Sequence, residues 1–266
     1  DIENFTVLKD GSAAAIYGTR GSAGVILVTT KSGKVGQPMQ LTYNGQFATA
    51  GIANQIDIMD SQQFLAAGGN DLGSDTDWID EVTQTGYSHV HNIAAVGGTN
   101  DVSYRVSGNF RKLDGILYNT GFKQLNARTN VTARLFDDKL KVDFNSALTR
   151  RDSKYGFNEA LRYAITYNPT APVYGVDAPF PFASGQYGGF FETLGLFDSF
   201  NPASIARQSE NDGTTNTINY SMNFNYRLTD HLAANVNFAT QNIKNNRSQY
   251  YPTTALYLGN AVSPTT

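Results

Sequence analysis

Long stretches of this chain alternate apolar and polar side chains one for one. Ile218, Tyr220, Met222, Phe224 and Tyr226 alternate with Asn219, Ser221, Asn223 and Asn225. A period of two sends successive side chains to opposite faces, so each such stretch is a strand with one apolar and one polar face. The pattern recurs at 41–48, 102–112, 125–135, 140–148, 217–228 and 232–241, and more weakly at 89–97. That predicts about seven strands. Several exceed ten residues, whereas strands of soluble domains average about 5–6 residues. A strand tilted across a bilayer takes about 9–11 residues with alternate positions apolar. Two architectures fit: a wet-lumened antiparallel transmembrane β-barrel, and a soluble extracellular β-domain whose aromatics bind carbohydrate. Polar faces rich in Asn, Arg and Ser favour the barrel.

The connections alternate in length. Phe136–Lys139, Leu228–His231 and Gly97–Asp101 are tight turns built from Asp, Asn and Gly, the residues such turns require. The other ends carry longer connections, at 51–88, 113–121 and 151–213. Short turns at one end and long loops at the other is the outer-membrane pattern, with the short turns periplasmic. Mean hydropathy is −0.35, and no run approaches the roughly 18 apolar residues of a membrane helix. A net charge of −3 argues against a nucleic-acid partner. With no Cys, disulfides and thiolate chemistry are excluded.

The N-terminal stretch is of another kind. Phe5, Val7 and Leu8 suit a strand; Asp10 or Ser12 can cap a short helix over Ala13–Ile16; Gly18 and Gly21 supply its exit; Val25–Thr30 suits a buried strand. As residues, V-L-K-D-x-S-A-A-A-I-Y-G-x-R-G-x-x-G-V-I-L-V-T-T-K-x-G-K resembles the closing segment of the plug domain in TonB-dependent outer-membrane transporters, most closely the SusC/RagA branch. The resemblance runs over residues 2–34 and rests on Lys9, Asp10, Tyr17, Gly18, Arg20, Gly21 and Gly24. Ser22-Ala23 stands where that family usually has Ala-Asn. A second stretch, T-D-W-I-D-E-V at 76–82 followed by S-H-V-H-N-I-A-A-V-G-G at 88–98, is similar to the segment after the first barrel strand of the same family.

The resemblance implies a plug end over 1–37 and the first barrel strands over 38–266, within a longer protein whose targeting segment, first plug half and TonB box lie upstream. It further implies uptake of glycan oligomers or peptides, a SusD-like surface lipoprotein, energy from TonB–ExbB–ExbD, and an outer-membrane location. A siderophore-type receptor is the neighbouring reading, which the S-A-A-A-I-Y-G and T-D-W patterns disfavour.

Candidate lumen charges are Arg105, Arg111, Arg128 and Arg134. Trp78, flanked by acids on a short helix or turn, either packs its loop or stacks on a sugar. The loop after Arg151 is dense in aromatics, Tyr187 among them, and holds a short helix at 159–167; its rings either pack the loop on itself or meet a ligand. His89 and His91 share a strand face, but no third metal ligand has suitable spacing. The sequence has no G-x-S-x-G, H-E-x-x-H or phosphate loop. G-T-R-G-S-A-G at 18–24 precedes a strand instead of opening a helix. Neither catalysis nor a cofactor is expected.

Overall fold

The computed structural model describes residues 2–9, 18–21, 23–175, 187–193 and 200–256, without the Arg20 side chain. The chain begins with a hairpin. β1 (Ile2–Leu8) and β2 (Val25–Thr30) pair antiparallel from Leu8↔Val25 to Ile2↔Thr30. The expected helix between them, with Asp10 and Ser12, lies outside the described residues. The glycine exit is a 3-10 turn at Gly18–Gly21. Gly24 adopts φ +100 with the Leu8 carbonyl 3.2 Å from where a Cβ would sit, so any side chain there is strained.

A second sheet holds the remaining strands: β3 (Gln40–Ala50), β4 (Gly86–Gly98), β5 (Val102–Asp114), β6 (Thr120–Leu135), β7 (Leu140–Tyr155), β8 (Glu210–Arg227) and β9 (Ala233–Tyr250). Its seven strands pair in chain order, each antiparallel to the next. The weak segment at 89–97 is thus a full member, β4. Among the described residues the outer edges of β3 and β9 have no strand partner.

Register fixes which residues share a face, because directly opposed residues point the same way. Phe144, Met222 and Phe238 oppose one another across β7, β8 and β9; Tyr43, Ile93 and Gly108 do so across β3, β4 and β5. On this face Phe47 is 76% exposed and Phe238 63%, and no second sheet covers it among the described residues. A soluble sandwich would bury these rings. The outward apolar run is Ile218 to Tyr226 on β8 and Leu125 to Leu135 on β6. At about 3.3 Å per residue and a tilt of about 40°, these rise about 20–25 Å, close to the apolar band of an outer-membrane barrel.

The strands continue past that band. β7 extends to Tyr155, β8 starts at Glu210 and β9 ends at Tyr250, beyond the expected limits at 148, 217 and 241. The outward residues there are polar: Lys123, Arg150 and Asp152, then Asn216 and Lys244. With both faces wet, the hydrophobic period that marks a strand disappears from the sequence. For the same reason the connection expected at 113–121 shrinks to 115–119, and that expected at 151–213 to 156–209.

The short turns lie at one end. Lys139 N–H donates to the Phe136 carbonyl at 3.1 Å, and Asp137 and Asp138 have φ of 51 and 62. This is the hairpin turn whose twist matches the strands it joins. The longer connections gather at the other end into a cap with its own core. It contains α1 (Ser61–Ala66), α2 (Trp78–Val82), α3 (Ala160–Thr166) and α4 (Pro202–Gln208). The short helices expected around Trp78 and at 159–167 are α2 and α3.

Candidate functional site

The face of the large sheet opposite the apolar band is polar and looks toward the hairpin. A cleft of about 1070 Å³ separates the two, lined by Val28, Thr29 and Thr30 of the hairpin and by Asn130, Asn145 and Asn219 of the sheet. A smaller cleft of about 450 Å³ brings Lys31 opposite Asn44, Asn92 and Arg105. Both are open and lined mostly by polar residues, as a solute path requires and a packed core does not.

The polar face is ordered by amide ladders. Asn109 Nδ2 donates to Asn92 Oδ1 at 2.6 Å, and Asn126 Nδ2 to Asn109 Oδ1 at 2.8 Å. Thr149 continues the row by donating to Asn126 Oδ1 at 2.8 Å. Nearer the short turns, Asn130 donates to Asn145 at 2.7 Å and Thr132 to Asp143 at 2.7 Å. Each side chain satisfies its neighbour and keeps further capacity for a solute, since an amide offers two donors and two lone pairs.

All four arginines named from the sequence sit on this face. Arg105 and Arg128 line the two clefts beside the hairpin. Arg134 lies near the turns, 4.0 Å from Asp138. Arg111 lies above the Asn row, its guanidinium 5.3 Å from the Phe122 ring centre. Two further arginines of the same face, Arg151 and Arg247, were not singled out from the sequence. Arg151 stacks on the same Phe122 ring as Arg111, 3.9 Å from its centroid. Arg247 lies 4.5 Å from the Tyr155 centroid and donates to Asn211 Oδ1 at 3.0 Å. Arg151 and Arg247 fall where both strand faces are polar, so alternation alone did not mark them; extending the period of two past 148 and 241 by counting would have.

Trp78 and Tyr187 belong to the cap. Trp78 is 1% exposed, its Nε1 donates to the Asn168 carbonyl at 2.9 Å, and its ring meets Tyr167 edge-on at 4.8 Å. Tyr187 is 3% exposed. Neither ring faces the polar cleft. Phe157, Tyr163, Phe190 and Phe191 are buried with Trp78 in the same core, so the described aromatics of the long loop pack mainly on one another. Asp77 caps α2 by accepting from the Ile79 and Asp80 N–H groups, and Asp60 caps α1. Arg207 ties α4 to α2 through Glu81 at 2.6 Å and to Tyr174 Oη at 2.6 Å. The cap is pinned to the strand ends by Asn119 Nδ2, which donates to the Ala206 carbonyl at 2.8 Å.

Within the cap core, Glu192 is 1% exposed. Its Oε2 accepts from the Asn201 N–H at 3.0 Å, and Oε1 has no partner among the described residues. Burial pushes its carboxyl from the ordinary 4.5 up to about 8, opposed by the Asn201 hydrogen bond. Burial, reinforced by the Glu192 charge, also raises the Tyr167 phenol.

The histidine pair lies on the outward face among rings. His91 Nδ1 is 2.7 Å from Tyr43 Oη and its Nε2 is 3.1 Å from His89 Nδ1, with Phe47 and Phe110 in ring contact. Of the hairpin motif, Lys9 is exposed, Gly18 has φ +68 and Gly21 is buried. Asp10, Tyr17 and the Arg20 side chain lie outside the described residues.

No protein-family model matches the chain. Its sequence is similar to TonB-dependent receptor SusC of Bacteroides thetaiotaomicron, 34% identical over 206 residues, covering 74% of this chain and 20% of the relative. It is also similar to a TonB-dependent receptor of Formosa agariphila, 29% identical over 273 residues, covering 96% of this chain and 26% of the relative. The chain therefore spans about a fifth to a quarter of the length of these relatives. Among solved structures its fold is similar to the RagAB peptide transporter, with a TM-score of 0.74 at 18% identity, covering 94% of this chain and 33% of that one.

Proposed function

The chain belongs to the SusC/RagA-type TonB-dependent receptors, and from that premise we propose that it forms part of an outer-membrane importer of glycan oligomers or peptides. The observation that carries this reading is the pairing of two faces on one sheet: an apolar outward band that no other described element covers, and a polar inner face turned to a small hairpin across clefts lined mostly by polar residues. In this reading residues 1–37 are the end of a plug and 38–266 the first strands of the wall. The plug motif residues, Lys9, Asp10, Tyr17, Gly18, Arg20, Gly21 and Gly24, shape the plug beside the path, and the inner arginines line that path.

An exposed apolar cleft on the cap supports the reading that this end meets a surface partner. Ile56, Met59, Phe64 and Ile165 line an open cleft of about 600 Å³ on it, and Ile56 and Met59 are 59% and 58% exposed. A SusD-like lipoprotein is the partner proposed for this end, and TonB–ExbB–ExbD supplies energy from the periplasm through the plug. The relatives are receptors and transporters, and no catalytic step is assigned to the chain.

The test is to express the protein with its full gene in an outer membrane, and follow uptake of labelled oligosaccharides and peptides with and without TonB. The expected outcome is heat-modifiable barrel migration, TonB-dependent uptake and co-purification of a lipoprotein. A protein that stays soluble, or uptake indifferent to TonB, overturns the reading.

A further inference from the structure

The chain as a whole is acidic, with a net charge of −3, yet its inner face is basic. Near the short turns stand Arg134, Lys141 and Arg227; beside the hairpin, Arg105 and Arg128; toward the cap, Arg111, Arg151 and Arg247. Asp143 is the single carboxylate at the inner positions of β3–β9, and it is held by Lys141 at 2.9 Å. The outward polar ends of the strands show no such imbalance: Lys112 pairs with Asp114 at 3.0 Å and Arg150 with Asp152 at 3.2 Å. Among the described strand residues, acids are therefore sorted away from the inner face while basic side chains stand on both.

The group nearest the cap has the geometry of a site. Register places Arg111, Gln124 and Arg151 side by side on β5, β6 and β7, so the two arginine backbones are about 10 Å apart at the usual strand spacing. Both guanidiniums lean on the one Phe122 ring, and neither meets a carboxylate among the described residues. Two like charges on one ring repel; the ring's negative face offsets part of that cost, and an anion seated between them offsets more. The described hairpin residues line the clefts at Arg105 and Arg128. The row directly below is Asn92, Asn109, Asn126 and Thr149, amides and a hydroxyl suited to sugar hydroxyl groups.

Building on the importer reading above, we propose that Arg111, Gln124 and Arg151 around Phe122, with Arg247 beside them, form a binding site for acidic oligosaccharides. Carboxylate or sulfate groups sit on the guanidiniums, and hydroxyl groups on the Asn row. The ligand enters as a polyanion, so attraction reaches past the contact residues and weakens with salt.

The experiment uses the full-length protein purified from outer membranes, with calorimetric binding of four probes of equal length: oligogalacturonate, a sulfated carrageenan oligomer, maltohexaose and oligoglutamate. Binding of at least one acidic saccharide, about ten-fold or more tighter than maltohexaose and oligoglutamate and weaker at high salt, is expected. The double variant R111Q/R151Q is expected to lose about ten-fold or more of that affinity while keeping heat-modifiable migration, and R247Q to lose less. If maltohexaose or oligoglutamate binds as well, if no acidic saccharide binds, or if R111Q/R151Q and R247Q both retain affinity, the proposal is overturned. Uptake driven by TonB with a neutral ligand would overturn it and leave the importer reading intact; a protein that never enters the membrane would overturn that reading instead.

Discussion

The wall and the cap are made by one chain and hide their apolar side chains in different solvents. In the cap, Trp78, Val82 and Ile205 are at most 1% exposed, so the cap is a small water-soluble core closed by its own helices. In the wall, Phe47, Phe238 and Leu41 are more than 60% exposed on the outward face, Phe47 meeting the His89 and His91 rings and Phe238 the Phe224 ring of their own sheet. The wall's strands hold one another by ladders of backbone hydrogen bonds, and their apolar face is completed by lipid. The cap must find shape complementarity within itself; the wall needs only the right polarity on each face. Substitutions should therefore fail for different reasons in the two regions.

The largest expected effect is in the cap. Trp78→Ala removes the ring that Tyr167 and α3 pack on and leaves a cavity, costing the cap about 3–5 kcal/mol. Proteolysis at 51–85 and 156–209 is expected to rise sharply while barrel migration stays unchanged; a loss of barrel migration would show that the two regions do not separate. Next is Met222→Arg at the middle of the outward band, expected to destabilise the wall by about 2–4 kcal/mol. Its inner neighbour, Asn223→Arg, should be nearly neutral. Urea titration in lipid vesicles distinguishes them, and equal effects would remove the assignment of faces.

Glu192 gives a pH test confined to the cap. Its folded carboxyl lies above its ordinary value, so the stability it contributes is fully present below about pH 4.5 and lost as pH rises through about 8. Glu192→Gln is expected to flatten cap stability across that window, read by protease resistance as a function of pH; an unchanged slope would refute it. The smallest effect is Asp77→Ala, which removes the α2 cap at a cost of about 1 kcal/mol, measured as a modest gain in hydrogen exchange at Ile79 and Asp80.

Much of the wall was legible in the residues, because its structure is written at the shortest possible period. The alternation at 217–228 names both faces of β8 without reference to any neighbour, and Asp137-Asp138 names the turn that joins β6 to β7. The hairpin motif, with Gly18, Gly21 and Gly24, was likewise readable as a local pattern. Hydrophobic alternation, however, reports a strand only where its two faces meet different solvents. Above the apolar band both are wet, so the upper ends of β7, β8 and β9 carry no such mark, and Arg151 and Arg247 went with them.

The sequence by itself determined the strands within the apolar band, their faces and their short turns, since these follow from side-chain polarity at adjacent positions. Only the tertiary structure decided which rings are buried and which arginines meet. Trp78 lies under Tyr167 because residues far apart in the chain fold into one cap, and Arg111 joins Arg151 at Phe122 because pairing register brings three strands to the same height. Contacts of that kind depend on distances through space, which residue spacing along a chain does not encode.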